Sequence, residues 1–190
     1  MRGALLAVLG VLALAACKKA DKPAPPVPAA GPAVADTAIG FQHEAGFDAQ
    51  GYYRPQTPIK SGPYELVHIA IGAPSDFTAW EAGKRDEVFG PILMQFDDPS
   101  GPPLATEQGE HPSVTAKVLP LSYRMGPGRV SFHGKDDKLG EISFEGVYDT
   151  VALAAARAAG NGEGKPVLTG ALQIGAQHID NVRLGYWAGD

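Results

Sequence analysis

The chain has 190 residues, with 16 Lys+Arg against 21 Asp+Glu and a formal charge of -5. That length suits one folded unit, or one unit plus a tail, and the acidic balance argues against a nucleic-acid partner, which would need a basic stripe. A single cysteine excludes an internal disulfide framework and a Cys-rich zinc site, while 24 Gly and 17 Pro make the chain turn-rich without low complexity.

Arg2 precedes an apolar run, Ala4 to Ala16, of 13 residues without a polar side chain. A membrane-spanning helix needs about 20 apolar residues. The run instead fits the core of a secretory signal peptide, with small residues before the cut. Its end reads Leu14-Ala15-Ala16-Cys17. This resembles the lipobox of bacterial lipoproteins at every position. The resemblance implies a diacylglyceryl group on the Cys17 sulfur, cleavage before Cys17, and acylation of the new amino terminus. A lipidated thiol is consumed, whereas a free one is a liability in an oxidising compartment. Each buried methylene contributes about 0.8 kcal/mol, so two or three acyl chains would anchor the protein to the membrane. In enterobacterial lipoproteins an Asp after the Cys favours inner-membrane retention. Lys18 stands there, which implies the outer membrane, facing either the periplasm or the surface.

Residues 17–40 are expected to be the lipidated Cys and a tether. Lys18 to Gly40 holds five prolines and seven alanines and no aromatic residue. Such a segment cannot bury enough surface to offset the entropy of ordering. Its Pro/Ala composition favours extended segments with a reach of up to roughly 70 Å.

Residues 41–190 form the folded domain, with 12 basic and 19 acidic residues. A chain of this size can bury roughly 70% of its unfolded surface and needs no disulfide. Short alternating runs predict a mainly β domain. A strand is expected near Tyr52 to Ile59, interrupted by Pro55 and Pro58. Tyr64 to Ile71 follows, with Val67, Ile69 and Ile71 on one face and Tyr64, Leu66 and His68 on the other. Ser75 is expected to cap a short helix carrying Phe77 and Trp80 and stopping at Gly83.

Further strands are predicted over Pro91 to Phe96 and Val114 to Tyr123. Pro120 marks the second as an edge or a bulge. Pro99 to Pro112, with four prolines and two glycines, reads as a long loop. Arg129–His133 and Glu141–Glu145 read as a hairpin with Val130, Phe132, Ile142 and Phe144 inward. Asp149 is expected to cap a surface helix over Thr150 to Ala159, ended by Gly160. Val167 to Ile174 and His178 to Trp187 read as a final hairpin. About seven strands at this spacing predict an antiparallel β-sandwich, with a small barrel as the alternative, and one or two short helices.

No catalytic motif is present: G-x-S-x-G, H-E-x-x-H and a phosphate-binding Gly-rich loop are all missing. Ser122 and Ser143 fall inside predicted strands. His43, His68, His111, His133 and His178 are scattered, and only His178-x-Asp180 approaches a chelating pair. Asp97-Asp98 and Asp136-Asp137 read as polar turns rather than calcium loops. No cofactor, metal or catalytic residue is therefore assigned. The adjacent pairs Tyr52-Tyr53 and Tyr186-Trp187 must each send one ring to either sheet face. Large rings on a sheet face suit protein partners and sugars. Tyr52, Tyr53, His178, Tyr186 and Trp187 are the candidate binding residues.

Together these features predict a non-enzymatic outer-membrane lipoprotein. Its acidic β domain would engage an envelope or secreted protein, with tethering supplying the effective concentration. The alternatives are a periplasmic small-ligand or glycan binder and, less favoured, an envelope-polymer hydrolase using a carboxylate pair.

Overall fold

The computed structural model describes residues 40–106, 109–160 and 165–189. The proposed signal peptide, Cys17 and nearly all of the tether lie outside these residues. The described domain is mainly β, as expected. It is one sheet of 11 strands with two short helices, four strands more than the turn spacing suggested.

In chain order the strands are β1 (Phe41–His43), β2 (Gly51–Pro55), β3 (Lys60–Ser61), β4 (Tyr64–Ile71), β5 (Ile92–Thr106), β6 (Gly109–Val118), β7 (Pro120–Gly126), β8 (Arg129–Asp136), β9 (Gly140–Tyr148), β10 (Leu168–Ile174) and β11 (Gln177–Trp187). Helix α1 (Pro74–Glu81) joins β4 to β5, and α2 (Thr150–Ala159) joins β9 to β10. The spatial order is β1-β7-β8-β9-β10-β11-β2-β4-β5-β6, with β3 added against β4. All pairings are antiparallel except β1 with β7.

A single sheet with one apolar face must curl to bury it. Cross-strand registers carry the apolar row around the curl. Tyr186 is opposite Tyr53, Tyr53 opposite Ile69, Ile69 opposite Met94, and Met94 opposite Val118. On the other side Tyr123, Phe132, Phe144 and Leu172 are successive partners. All these side chains are buried. The ends of the curl meet where β6 runs through Leu119 into β7. There Gly134 of β8 lies so close that a Cβ would sit 2.7 Å from both the Leu119 carbonyl and Val118. The architecture is that of a sandwich or open barrel made from one sheet. Phe77 and Trp80 of α1 pack onto the aromatic row: the Phe77 and Tyr123 rings are 5.3 Å apart, and Phe41 and Trp80 6.3 Å.

Four local expectations change. First, β4 contains an irregularity between Leu66 and His68. Tyr64, Leu66, Ile69 and Ile71 are buried, whereas Glu65, Val67, His68 and Ala70 are only partly so. The extra residue of a bulge reverses the alternation part-way along the strand, so strict period 2 misassigned half the faces. Second, residues 99–106 and 109–112 of the expected loop are strand. β5 and β6 continue as a hairpin arm, with Pro103 directly opposite Pro112. β6 is a terminal strand of the sheet, and a proline there removes no ladder bond when its nitrogen faces outward. Third, the run Val114–Tyr123 is two strands turning at Leu119, with Pro120 as the first residue of β7, a position that proline tolerates. Fourth, Ser75 does not cap α1. Pro74 occupies the first helical turn, and the Asp76 carboxylate accepts from the Ala73 N–H at 2.8 Å. The α2 cap is where it was expected: Asp149 Oδ1 accepts from the Ala152 N–H at 2.9 Å, and Gly160 ends the helix at φ 79°. Among the described residues no helix is long and apolar enough to cross a membrane.

Candidate functional site: an aromatic and cationic groove on the outer sheet face

The curl leaves β11, β2, β4, β5 and β6 side by side, with a hollow among their outward side chains. Two rows of side chains cross these strands. In the first, Trp187 is opposite Tyr52, Tyr52 opposite Ala70, and Ala70 opposite Leu93. In the second, His68 is opposite Gln95, and Gln95 opposite Lys117. The bulge in β4 places His68 in that second row. Bulges are over-represented beside functional sites because they re-aim a side chain in this way. Tyr52, Ala70 and Leu93 of the first row and His68, Gln95 and Lys117 of the second line a groove of about 540 Å³, together with Gly72, Phe89 and Gly90; Trp187 adjoins it through Tyr52. That volume falls within the usual range for ligand sites, roughly 300–1,000 Å³. A second hollow of about 600 Å³ is lined by Arg54, Glu65, Val67, Asp97 and Pro99.

The rings in the groove brace one another. Tyr52 packs 5.2 Å from Trp187 and meets His68 edge-on at 4.9 Å. The Arg54 guanidinium stacks on Trp187, 3.4 Å from the ring centroid. This is the planar cation–π arrangement for which arginine is suited. Phe89 is 67% exposed at the rim, with the Lys117 ammonium 5.9 Å from its centroid. Burial pushes the His68 imidazole below its ordinary pKa of 6.5. Arg54 and Lys117 push in the same direction, and Asp97 opposes them. At neutral pH His68 is thus an uncharged group with one donor and one acceptor nitrogen.

The domain's described cations divide between those held in ion pairs and those without one. Lys60 pairs with Glu65, Arg129 with Glu145, Lys135 with Glu141 and Arg157 with Asp48. Among the described residues neither Arg54 nor Lys117 has a carboxylate within ion-pair distance. The groove therefore combines the Lys117 ammonium, a neutral imidazole, the Tyr52 ring and a Gln95 amide that donates to Asp97 at 3.2 Å, with Arg54 and Trp187 stacked beside it at the edge of the second hollow.

The five candidate residues separate into three places. Tyr52 lines the groove, and Trp187 packs against it 5.2 Å away. Tyr53 and Tyr186 point inward and are buried. The Tyr53 hydroxyl donates to the Ala49 carbonyl at 2.6 Å, and burial drives its pKa far above the ordinary value for tyrosine. Tyr186 backs the groove under Gly51, where a Cβ would fall 2.3 Å from its ring. Gly51 also has φ +142°, so two independent reasons require glycine there. His178 lies apart, in the β10–β11 hairpin, between Gln173 at 3.1 Å and Asp180 at 3.0 Å.

Arg54, His68, Phe89, Gln95 and Lys117 carried no sequence signal. Arg54, His68, Gln95 and Lys117 come from four strands and meet only through strand pairing, and Phe89 joins them from the segment before β5. A second polar cluster ties β1 to α1 and β7: His43 Nδ1 is 2.9 Å from Glu81 Oε2, and the Tyr123 hydroxyl donates to Glu81 Oε1 at 3.1 Å. Among the described residues no group of three or more His, Cys, Asp or Glu side chains could hold a metal ion. Comparison with protein-family models, curated proteins and solved structures finds no match for this chain.

Proposed function

We propose that the protein is a non-enzymatic, lipid-anchored binding module of the bacterial outer membrane, and that the outer-face groove binds a small ligand or glycan. The observation that carries the binding role is the groove itself, with the braced Tyr52 ring beside His68, Gln95 and Lys117. The anchor rests on the lipobox Leu14-Ala15-Ala16-Cys17. Lipid at Cys17 would confine the domain to the envelope, so that modest affinity suffices.

Two measurements test this reading. Palmitate labelling should mark the wild-type chain and not Cys17→Ala; unlabelled wild type would remove the anchor. Envelope extracts, fractionated and titrated into isotope-labelled protein, should shift the amides of Tyr52, His68 and Trp187. Tyr52→Ala should abolish those shifts while leaving the melting temperature within a few degrees of wild type. Extracts that move none of the three would remove the ligand site.

A specific observation favours a protein partner as second reading. The β5–β6 arm continues past Asp98 and carries Leu104 at 56% exposure. In that reading, shortening the arm should eliminate a cross-linked envelope or secreted protein captured by wild type. Capture unaffected by arm removal would exclude the arm as its docking surface.

A further inference from the structure

We infer that the ligand of the groove is a sparsely charged acidic saccharide lying across the strands; this rests on the reading of the groove as a ligand site. Arg54, His68, Gln95 and Lys117 sit on four consecutive strands, β2, β4, β5 and β6. Three interstrand steps of about 4.8 Å separate the outer two, a span of roughly 14 Å. The two cations thus stand at opposite ends of the row, with an imidazole and an amide between them. A ligand matching this floor carries an anionic group at one or both ends and neutral hydroxyl-bearing units between. The Tyr52 ring lies alongside as a stacking surface, while Trp187 carries the Arg54 guanidinium.

Charge density excludes a polyanion. The domain carries 19 acidic against 12 basic residues, and Glu65 and Asp97 line the same hollow as Arg54. A strand of nucleic acid would bring a charge every few ångströms against those carboxylates. An extended acidic peptide fits less well for a different reason. Peptides gain affinity on sheets by pairing with a free backbone edge. On this face the backbones of β2, β4 and β5 are already paired on both sides. Across these three strands only side chains are offered, and hydroxyls, ring faces and carboxylates can all use them; the open edge lies beyond them on β6.

The experiment uses the full-length chain in detergent and calorimetric titration. The probes are a trisaccharide of galacturonic acid, its carboxyl-reduced galactose counterpart, acetate and a tetraglutamate peptide. The uronide should bind, weaken as salt is raised, and exceed its reduced counterpart by about tenfold or more. Arg54→Gln and Lys117→Gln should each weaken it by about tenfold, with unchanged melting temperatures. Equal binding of acidic and neutral trisaccharides, indifferent to both substitutions, would refute the acidic class and leave the glycan site standing. Tetraglutamate or acetate binding as tightly as the uronide would refute the saccharide. If no saccharide binds while an envelope fraction still shifts Tyr52 and Trp187, the inference fails alone; if neither does, the ligand site fails with it.

Discussion

Gly170→Ala tests the register of the sheet directly. Gly170 of β10 lies opposite Gly146 of β9, which lies opposite Val130 of β8. A Cβ on residue 170 would fall 2.1 Å from the Glu145 carbonyl oxygen and 2.8 Å from Gly146 Cα. Both obstacles are backbone, so no rotamer change relieves them. The strands must separate until the shortest contact grows from 2.1 Å to at least 3.0 Å. A shift of that size takes neighbouring ladder bonds beyond hydrogen-bond distance. Two lost bonds cost about 2 kcal/mol, and residual overpacking adds about 1 kcal/mol or more. The expected loss is about 3 kcal/mol, equivalent to roughly 6–12 °C in melting temperature for a domain of this size. Urea unfolding followed by circular dichroism should show it as a midpoint shift of about 1.5 M at an m-value near 2 kcal/mol/M. Gly128→Ala is the control: nothing lies within 4 Å of its Cβ position. If Gly170→Ala unfolds within about 0.5 kcal/mol of Gly128→Ala, the β9–β10 register is wrong.

Neighbouring tyrosines should behave oppositely. Tyr53→Phe leaves the Ala49 carbonyl without its donor and should cost about 1 kcal/mol in urea unfolding, whereas Tyr52→Phe should cost almost nothing. Asp149→Ala removes the bond to the Ala152 N–H and should cost about 1 kcal/mol, with a matching loss of helical signal. The Arg157 guanidinium beside Asp48 holds that carboxyl below its ordinary value of 3.8. Its contribution is present above pH 3.8 and is lost as the pH falls further. Because the pair is partly exposed, Asp48→Asn should cost under about 1 kcal/mol at pH 7, and the difference from wild type should shrink in acid. His68 has the opposite chemistry and the same sign. Its folded-state pKa is depressed, so below pH 6.5 the unfolded chain binds a proton that the native site resists, and stability falls. His68→Gln should flatten the unfolding free energy between pH 7 and pH 5; an unchanged slope would show that His68 is not held neutral.

What the linear sequence determined by itself is local. The alternation of Arg129–His133 against Glu141–Glu145 gave the hairpin in which Phe132 meets Phe144. Asp149 and Gly160 bounded α2, because a cap needs only a few consecutive residues. Adjacent rings in a strand must part, and Tyr52 and Trp187 did go outward while Tyr53 and Tyr186 went inward. What only the tertiary structure decided is everything that depends on which strand lies beside which. The bulge at Val67–His68 exists relative to β5, where an extra residue faces one partner. The prolines of the β5–β6 arm are tolerated because of how that strand pair lies at the end of the sheet, a fact of topology and not of composition. Strand pairing draws Arg54, His68, Gln95 and Lys117 from positions up to 63 residues apart onto four neighbouring strands, and Phe89 lines the groove from the segment before β5. Periodicity reports the face a side chain takes within its own strand; neighbours across strands are set by the closure of the whole sheet, which no single segment encodes.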